Sequence, residues 1–94
     1  MLYVLFCEDK ADSQPLRLAN REAHLSYAAT RADMIKLAGP MLSDDGERML
    51  GSLFIVEAED ADAARALHES DPYTLAGLWG NVVIRPFRQV LPKP

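Results

Sequence analysis

The sequence predicts one α+β domain of 94 residues, with four strands and two helices in the order β-α-β-β-α-β. Three observations predict it. One apolar run, "LYVLFC", opens the chain and another, "LGSLFIVEA", lies past its middle. A stretch of helical period follows each run. Between them, an Asp45-Gly46 pair stands among polar residues where two neighbouring strands need a tight turn. That order is the split βαβ of the ferredoxin-like fold.

Each element has its own justification. Leu2 to Cys7 is continuously apolar with β-branched and aromatic members, so it reads as a buried strand. "EDKADSQP" is polar and turn-rich. From about Pro15 to Leu37 the period becomes helical, with Leu25, Ala28, Ala29, Ala32 and Ile35 on one stripe and the stem of Lys36 at its end. Gly39 suits a helix C-terminus, and Pro40 cannot continue a helix. "GPML" is then a short second strand, "SDDGER" the hairpin turn, and Leu50 to Ala58 the third strand. Asp60 caps a second helix, "ADAARALHES". "NVVIRPFRQVL" is the fourth strand, and "PKP" is a tail.

In this topology the first and third strands are central, and both are apolar on both faces. Leu2, Val4 and Phe6 alternate with Tyr3, Leu5 and Cys7; Leu53 and Ile55 alternate with Phe54 and Val56. Two helices cover only one face. A second copy of the same sheet is the economical cover for the other, so the chain is expected to be a homodimer. The composition agrees: 49% of the residues are hydrophobic, yet a chain this short buries only about 60–65% of its unfolded surface.

Several function classes are excluded. The net charge is -4, and Lys and Arg are scattered, so nucleic acid is not an expected partner. No apolar run approaches the roughly 20 residues that span a bilayer, so no membrane is expected. The N-terminus leads directly into a strand without signal-peptide features, which reads as a cytoplasmic protein. Cys7 stands alone, so there is no internal disulfide and no cysteine pair for zinc. There is no glycine-rich phosphate loop, no HExxH and no serine-centred elbow. Asp44, Asp45 and Glu47 read as a solvated turn rather than a metal cage. Neither a metal nor an organic cofactor is expected.

Few residues remain to do chemistry. His24 lies at the border of the first helix's apolar stripe, and Arg21, one turn earlier, projects close to its centre. From the pattern alone, His24 is a boundary residue and Arg21 a snorkelling stem. His68, in the last turn of the second helix, complements the helix dipole. Cys7 reads as a buried apolar filler. Asp71, ahead of Pro72, can cap a short helical turn; that uses one carboxylate oxygen and leaves the other for an imidazole. Ser52 reads as an ordinary strand hydroxyl that is also placed for a ligand contact.

The segments "RLANREAHLSY", "LAGPML", "GSLFIVEAED", "ESDPYTLAGLW" and "VVIRPF" together resemble the YCII-related family of small dimeric α/β-barrel proteins. The sharpest matches are Arg-x-x-His in the first helix and Asp-Pro-Tyr before the last strand. The resemblance spans nearly the whole chain. It implies a His-Asp dyad at His24 and Asp71. It also implies an activity of the kind associated with the family, elimination of HCl from a chlorinated hydroxyquinol. On that reading Arg21 and Ser52 stabilise a developing enolate or phenolate. Tyr73, Leu78 and Trp79 wall the pocket, and Ala76-Gly77 leaves it room. The expected function is a cofactor-free lyase or isomerase acting on a small cyclic or aromatic ligand. The alternative is a non-catalytic ligand-binding or assembly module of the same fold.

Overall fold

A computed structural model describes residues 1–94. In chain order the elements are β1 (Leu2–Asp9), α1 (Gln14–Ala29), β2 (Ile35–Leu42), β3 (Met49–Glu57), α2 (Ala61–Glu69), a single turn α3 (Pro72–Leu75) and β4 (Trp79–Phe87). The four strands form one antiparallel sheet in the order β2-β3-β1-β4, so the first and third strands are central. This is the ferredoxin-like arrangement. No helix is long and apolar enough to cross a membrane.

The central pair is set by side-chain alternation. Tyr3, Leu5 and Cys7 lie opposite Val56, Phe54 and Ser52, and these six residues are all buried on the face that the helices cover. Ala58, Ala64 and Leu67 complete the core, with Tyr27, Ile35, Val82 and Ile84 packed against it. On the uncovered face Leu37, Val83 and Phe87 stand exposed. Val4, Phe6, Leu53 and Ile55 between them are only partly buried.

Turn chemistry fixes the connections. Gly46 takes φ +76° in the β2–β3 hairpin, while the Ser43 hydroxyl and the Glu47 N–H both donate to Asp45 Oδ1. Asp60 accepts the Ala63 N–H at 2.8 Å and starts α2. Gly51 has a different task. A Cβ there would lie 2.3 Å from the Cys7 carbonyl oxygen and 2.7 Å from the Met41 Cε, so the strands close only because the side chain is missing.

The first helix is shorter than its periodicity predicts. It ends at Ala29; residues 30–34 form turns, and Ile35 to Leu37, expected at its end, belong to β2. Ile35 pairs with Val56 and Leu37 with Ile55, so Lys36 is an extra residue in a bulge. The bulge sends Ile35 to the helix-covered face and Leu37 to the uncovered one, although the two are only two residues apart. The helix's buried stripe is also different. Arg17 and His24 are buried with Tyr27 and Ala28 partly so, whereas Leu18 and Leu25 are exposed. At its end β4 stops at Phe87, earlier than the apolar run to Leu91 suggests.

Candidate active site

The site is built where α1, β3 and α3 meet. Asp71 has extended backbone (φ -67°, ψ 130°) and caps α3, with Pro72 following at a position where its missing N–H is harmless. Asp71 Oδ1 accepts the Tyr73 N–H at 2.9 Å. The His24 Nδ1 lies 2.8 Å from the same oxygen and 3.0 Å from Oδ2, so the imidazole straddles the carboxylate. A carboxylate offers only acceptors, which makes Nδ1 the donor and leaves the lone pair on Nε2. Both side chains are about nine-tenths buried. His24 also stacks face to face on Tyr73 (centroids 4.0 Å apart, 13° between planes) and meets the Phe54 ring edge-on at 5.9 Å.

Nε2 has no hydrogen-bond partner within the protein and is not sealed from solvent. It belongs to a cleft of about 230 Å³ between α1 and β2, with Arg21, Leu25 and Ala28 on the helix side and Ala38, Gly39 and Pro40 on the strand side. Arg17, Ser52, Phe54 and Tyr73 also line it. A cleft this small, with apolar walls and a few polar groups, suits a single-ring ligand.

Sequence reasoning missed the strongest cation here. Arg17 is only 2% exposed. Its Nε donates to Asp9 Oδ2 at 2.8 Å, and its Nη2 donates to Asp9 Oδ1 at 2.9 Å and to Ser52 Oγ at 3.0 Å. The guanidinium carbon stands 4.7 Å from the Tyr73 ring centre. Burial pulls the Arg17 pKa down, but the hydrogen bonds and charge of Asp9 outweigh it and leave the group more firmly protonated than usual. Burial pushes the Tyr73 phenol up, partly offset by Arg17 and Arg21, so it stays an O–H donor. Arg21, expected near the centre of the helix's apolar stripe, is exposed and lines the cleft. The available signal was spacing. Seven residues return a helix to nearly the same face, so Arg17 and His24 share one, whereas Arg21 is turned from His24 by about 60°.

The other expected pocket residues lie elsewhere than in this cleft's lining. Leu78 and Trp79 do not line the cleft, and neither do Ala76 and Gly77. Leu78 is fully buried. Trp79 stands behind Tyr73, edge-on at 5.6 Å, and its Nε1 donates to Thr74 Oγ1. Gly77 takes φ +75°, which the turn into β4 requires. His68 lies outside the cleft, at the far end of the aromatic row, stacked on Trp79 at 6.5 Å with Nδ1 3.9 Å from Cys7 Sγ. Burial pushes the Cys7 thiol up to about 12 and lowers the His68 pKa. No cluster of three or more His, Cys, Asp or Glu side chains is arranged to hold a metal.

Residues 1–88 match the model of the YCII-related domain. The chain belongs to the YCII-related family. Protein YciI of Escherichia coli O6:H1 is 40% identical over 97 residues, covering 96% of this chain and 99% of the relative. Among solved structures, this YCII-related chain superimposes with a TM-score of 0.87 on 5-chloro-2-hydroxyhydroquinone dehydrochlorinase (TftG) from Burkholderia phenoliruptrix AC1100, determined in complex with 2,5-dihydroxybenzoquinone. That pair is 33% identical over 94% of each chain. A NIPSNAP domain protein from Burkholderia xenovorans, 18% identical with a TM-score of 0.50, shares the fold.

Proposed function

We propose that this YCII-related protein is a cofactor-free lyase or isomerase, with His24 transferring protons on a small cyclic or aromatic compound and Asp71 holding it. One observation carries the reading. His24 commits Nδ1 to a buried carboxylate and presents an unpartnered Nε2 to a ring-sized cleft. Asp71 fixes the tautomer and stabilises the imidazolium once Nε2 has taken a proton. Returning that proton to a different atom is an isomerisation. Losing it while a group departs with its bonding electrons is an elimination.

The likeness to the dehydrochlorinase supplies a first substrate to try, a chlorinated hydroxyhydroquinone. His24 would take a hydroxyl proton and deliver it to the chlorine-bearing carbon, making the keto tautomer. The hydroxyl across the ring then gives up its proton, the electron pair moves through the ring, and chloride leaves with the C–Cl pair. One proton and one chloride are lost, with no oxidant. Tyr73 would hold the imidazole by stacking, Ser52 would contact the substrate, and Arg21 would guard the rim; Trp79 would act from behind, through Tyr73 and through the Arg17 guanidinium 5.8 Å from its ring centre. Chloride release from 5-chloro-2-hydroxyhydroquinone tests this. Removing a general acid–base is expected to lower the rate about 10²- to 10⁴-fold in His24→Ala. Full activity in that variant would sink the acid–base role.

The same reading includes a homodimer. Its cover for the uncovered sheet face is a second copy, meeting Leu53, Ile55 and the exposed Leu37, Val83 and Phe87. Light scattering is expected to give twice the chain mass, and Leu53→Asp a monomer. A folded monomer of the unmodified chain at micromolar concentration rejects the pairing.

A further inference from the structure

We propose that Asp9, Arg17 and Ser52 form a preorganised receptor for an ionised oxygen, so that the cleft selects cyclic compounds bearing an acidic hydroxyl. This rests on the acid–base reading of His24 and names the substrate class which that reading leaves open.

A guanidinium carries five N–H donors in a fixed fork. Asp9 and Ser52 take those of Nε and Nη2. Nη1 donates to no carboxylate or carbonyl, the guanidinium's one other hydrogen-bond neighbour being the Tyr73 phenol, and Arg17 lines the cleft. Ser52 Oγ uses a lone pair on Arg17 and donates to no protein group, so its own proton is left for the cleft. The Tyr73 phenol, kept protonated by burial although its hydrogen-bond contact with Arg17 pulls the other way, lines the same cleft. Three kinds of donor therefore converge on a space in which the acceptor without a donor of its own is His24 Nε2. A neutral hydroxyl would turn its own proton toward some of those donors. An ionised oxygen accepts from all of them.

Asp9 is the positioning residue. It neutralises most of the Arg17 charge, so attraction at a distance is weak. What it supplies is direction, because the bidentate pair holds the third edge of the fork toward the ligand. Asp9 sits at the end of β1, where the pairing with β4 shifts register, and that irregularity accompanies its approach to α1.

The test uses the full chain and two one-ring probes, 2,5-dihydroxybenzoquinone, an anion at neutral pH, and hydroquinone, which is uncharged there. Calorimetry is expected to show the wild type preferring the quinone anion by about tenfold or more, the effect of one charge-assisted hydrogen bond. Arg17→Met and Ser52→Ala each shrink that preference. Asp9→Asn makes the site more positive, yet it weakens quinone binding, because the fork is released. Simple attraction of charge predicts the opposite. His24→Ala keeps the preference for the anion while losing turnover, so failure of the receptor and failure of the acid–base role are told apart. Circular dichroism checks each fold; if Arg17→Met unfolds, Ser52→Ala decides. The proposal is overturned by equal affinity for the two probes, by no quinone binding, by an unchanged preference in Ser52→Ala, or by tighter quinone binding in Asp9→Asn.

Discussion

The two histidines stand at opposite ends of one aromatic row, His24 on Tyr73, Tyr73 against Trp79, and Trp79 on His68. Both are carried by helices that cover the same sheet face, and both touch aromatic rings. Their polar neighbours differ. His24 has a buried carboxylate behind it and an unpartnered nitrogen in front, facing a cleft. His68 has a thiol 3.9 Å away, a thiol that burial keeps protonated, and no carboxylate in contact. Residue type alone does not distinguish them, and burial only grades them, His24 being buried and His68 half-buried. What separates a proton-transferring histidine from a structural one is the combination of a fixed tautomer with somewhere to send the proton.

The largest expected effect bears directly on that contrast. With an active substrate, His24→Ala loses the 10²- to 10⁴-fold contribution of a general acid–base, and His68→Ala changes the rate by less than about threefold. Equal losses would mean the two sites had been told apart wrongly. Next comes stability. Asp71→Ala removes the cap of α3 and leaves the His24 N–H without an acceptor, so urea denaturation is expected to show a loss of about 2–4 kcal/mol. Asp71→Asn keeps an acceptor for one donor and is expected to cost less, while still lowering the rate. A loss below that for His68→Ala would count against the dyad as the stronger of the two anchors.

Two smaller effects sharpen the His68 side. Cys7, with its thiol raised to about 12, is expected to resist iodoacetamide in the native protein and to react only as the chain unfolds. Labelling at the rate of a free thiol would open up that whole end of the row. The pH dependence of stability should be the least of these effects. Burial lowers the folded His68 pKa below its ordinary value of 6.5, with Asp71 and Glu69 pulling the other way. Between the two values the unfolded chain binds more protons, so stability rises with pH through that window and is lost as pH falls through the folded value. His68→Gln is expected to flatten that part of the curve by at most one proton's worth. A steeper acid limb in the variant would reverse the sign.

The strand order, the double-faced centre and the two Asp caps were legible because each depends on local chemistry. Asp60 and Asp71 precede helical segments, and Gly46 stands where a turn needs positive φ. The end of α1 was not legible, because Ala32 and Ile35 continue its spacing although residues 30–34 turn the chain and Ile35 opens β2. The face of α1 was misread for a more instructive reason. Hydrophobic periodicity looks for a buried apolar stripe, and this helix buries Arg17 and His24 instead. Their partners, Asp9 and Asp71, lie 8 and 47 residues away in sequence. Asp9 sits in a segment that reads as polar connection, so nothing local announces the pair. The Asp-Pro-Tyr motif fared better, since the carboxylate that starts a turn is the one that meets the imidazole.

The polar underside of α1 has a calorimetric consequence. The two long helices are fastened by unlike means, α2 through Ala64 and Leu67, and α1 largely through hydrogen bonds from Arg17, His24 and Tyr27, the last to the Leu67 carbonyl at 2.9 Å. Exposing apolar surface raises heat capacity, whereas exposing polar surface lowers it. Detaching α1 therefore adds little to the heat capacity of unfolding, and its attachment is governed by enthalpy more than by water. Cooling tightens such a helix when apolar contacts elsewhere are beginning to weaken. Warming loosens it first, and since it carries both Arg17 and His24, the cleft would lose its shape at temperatures where the sheet is still intact.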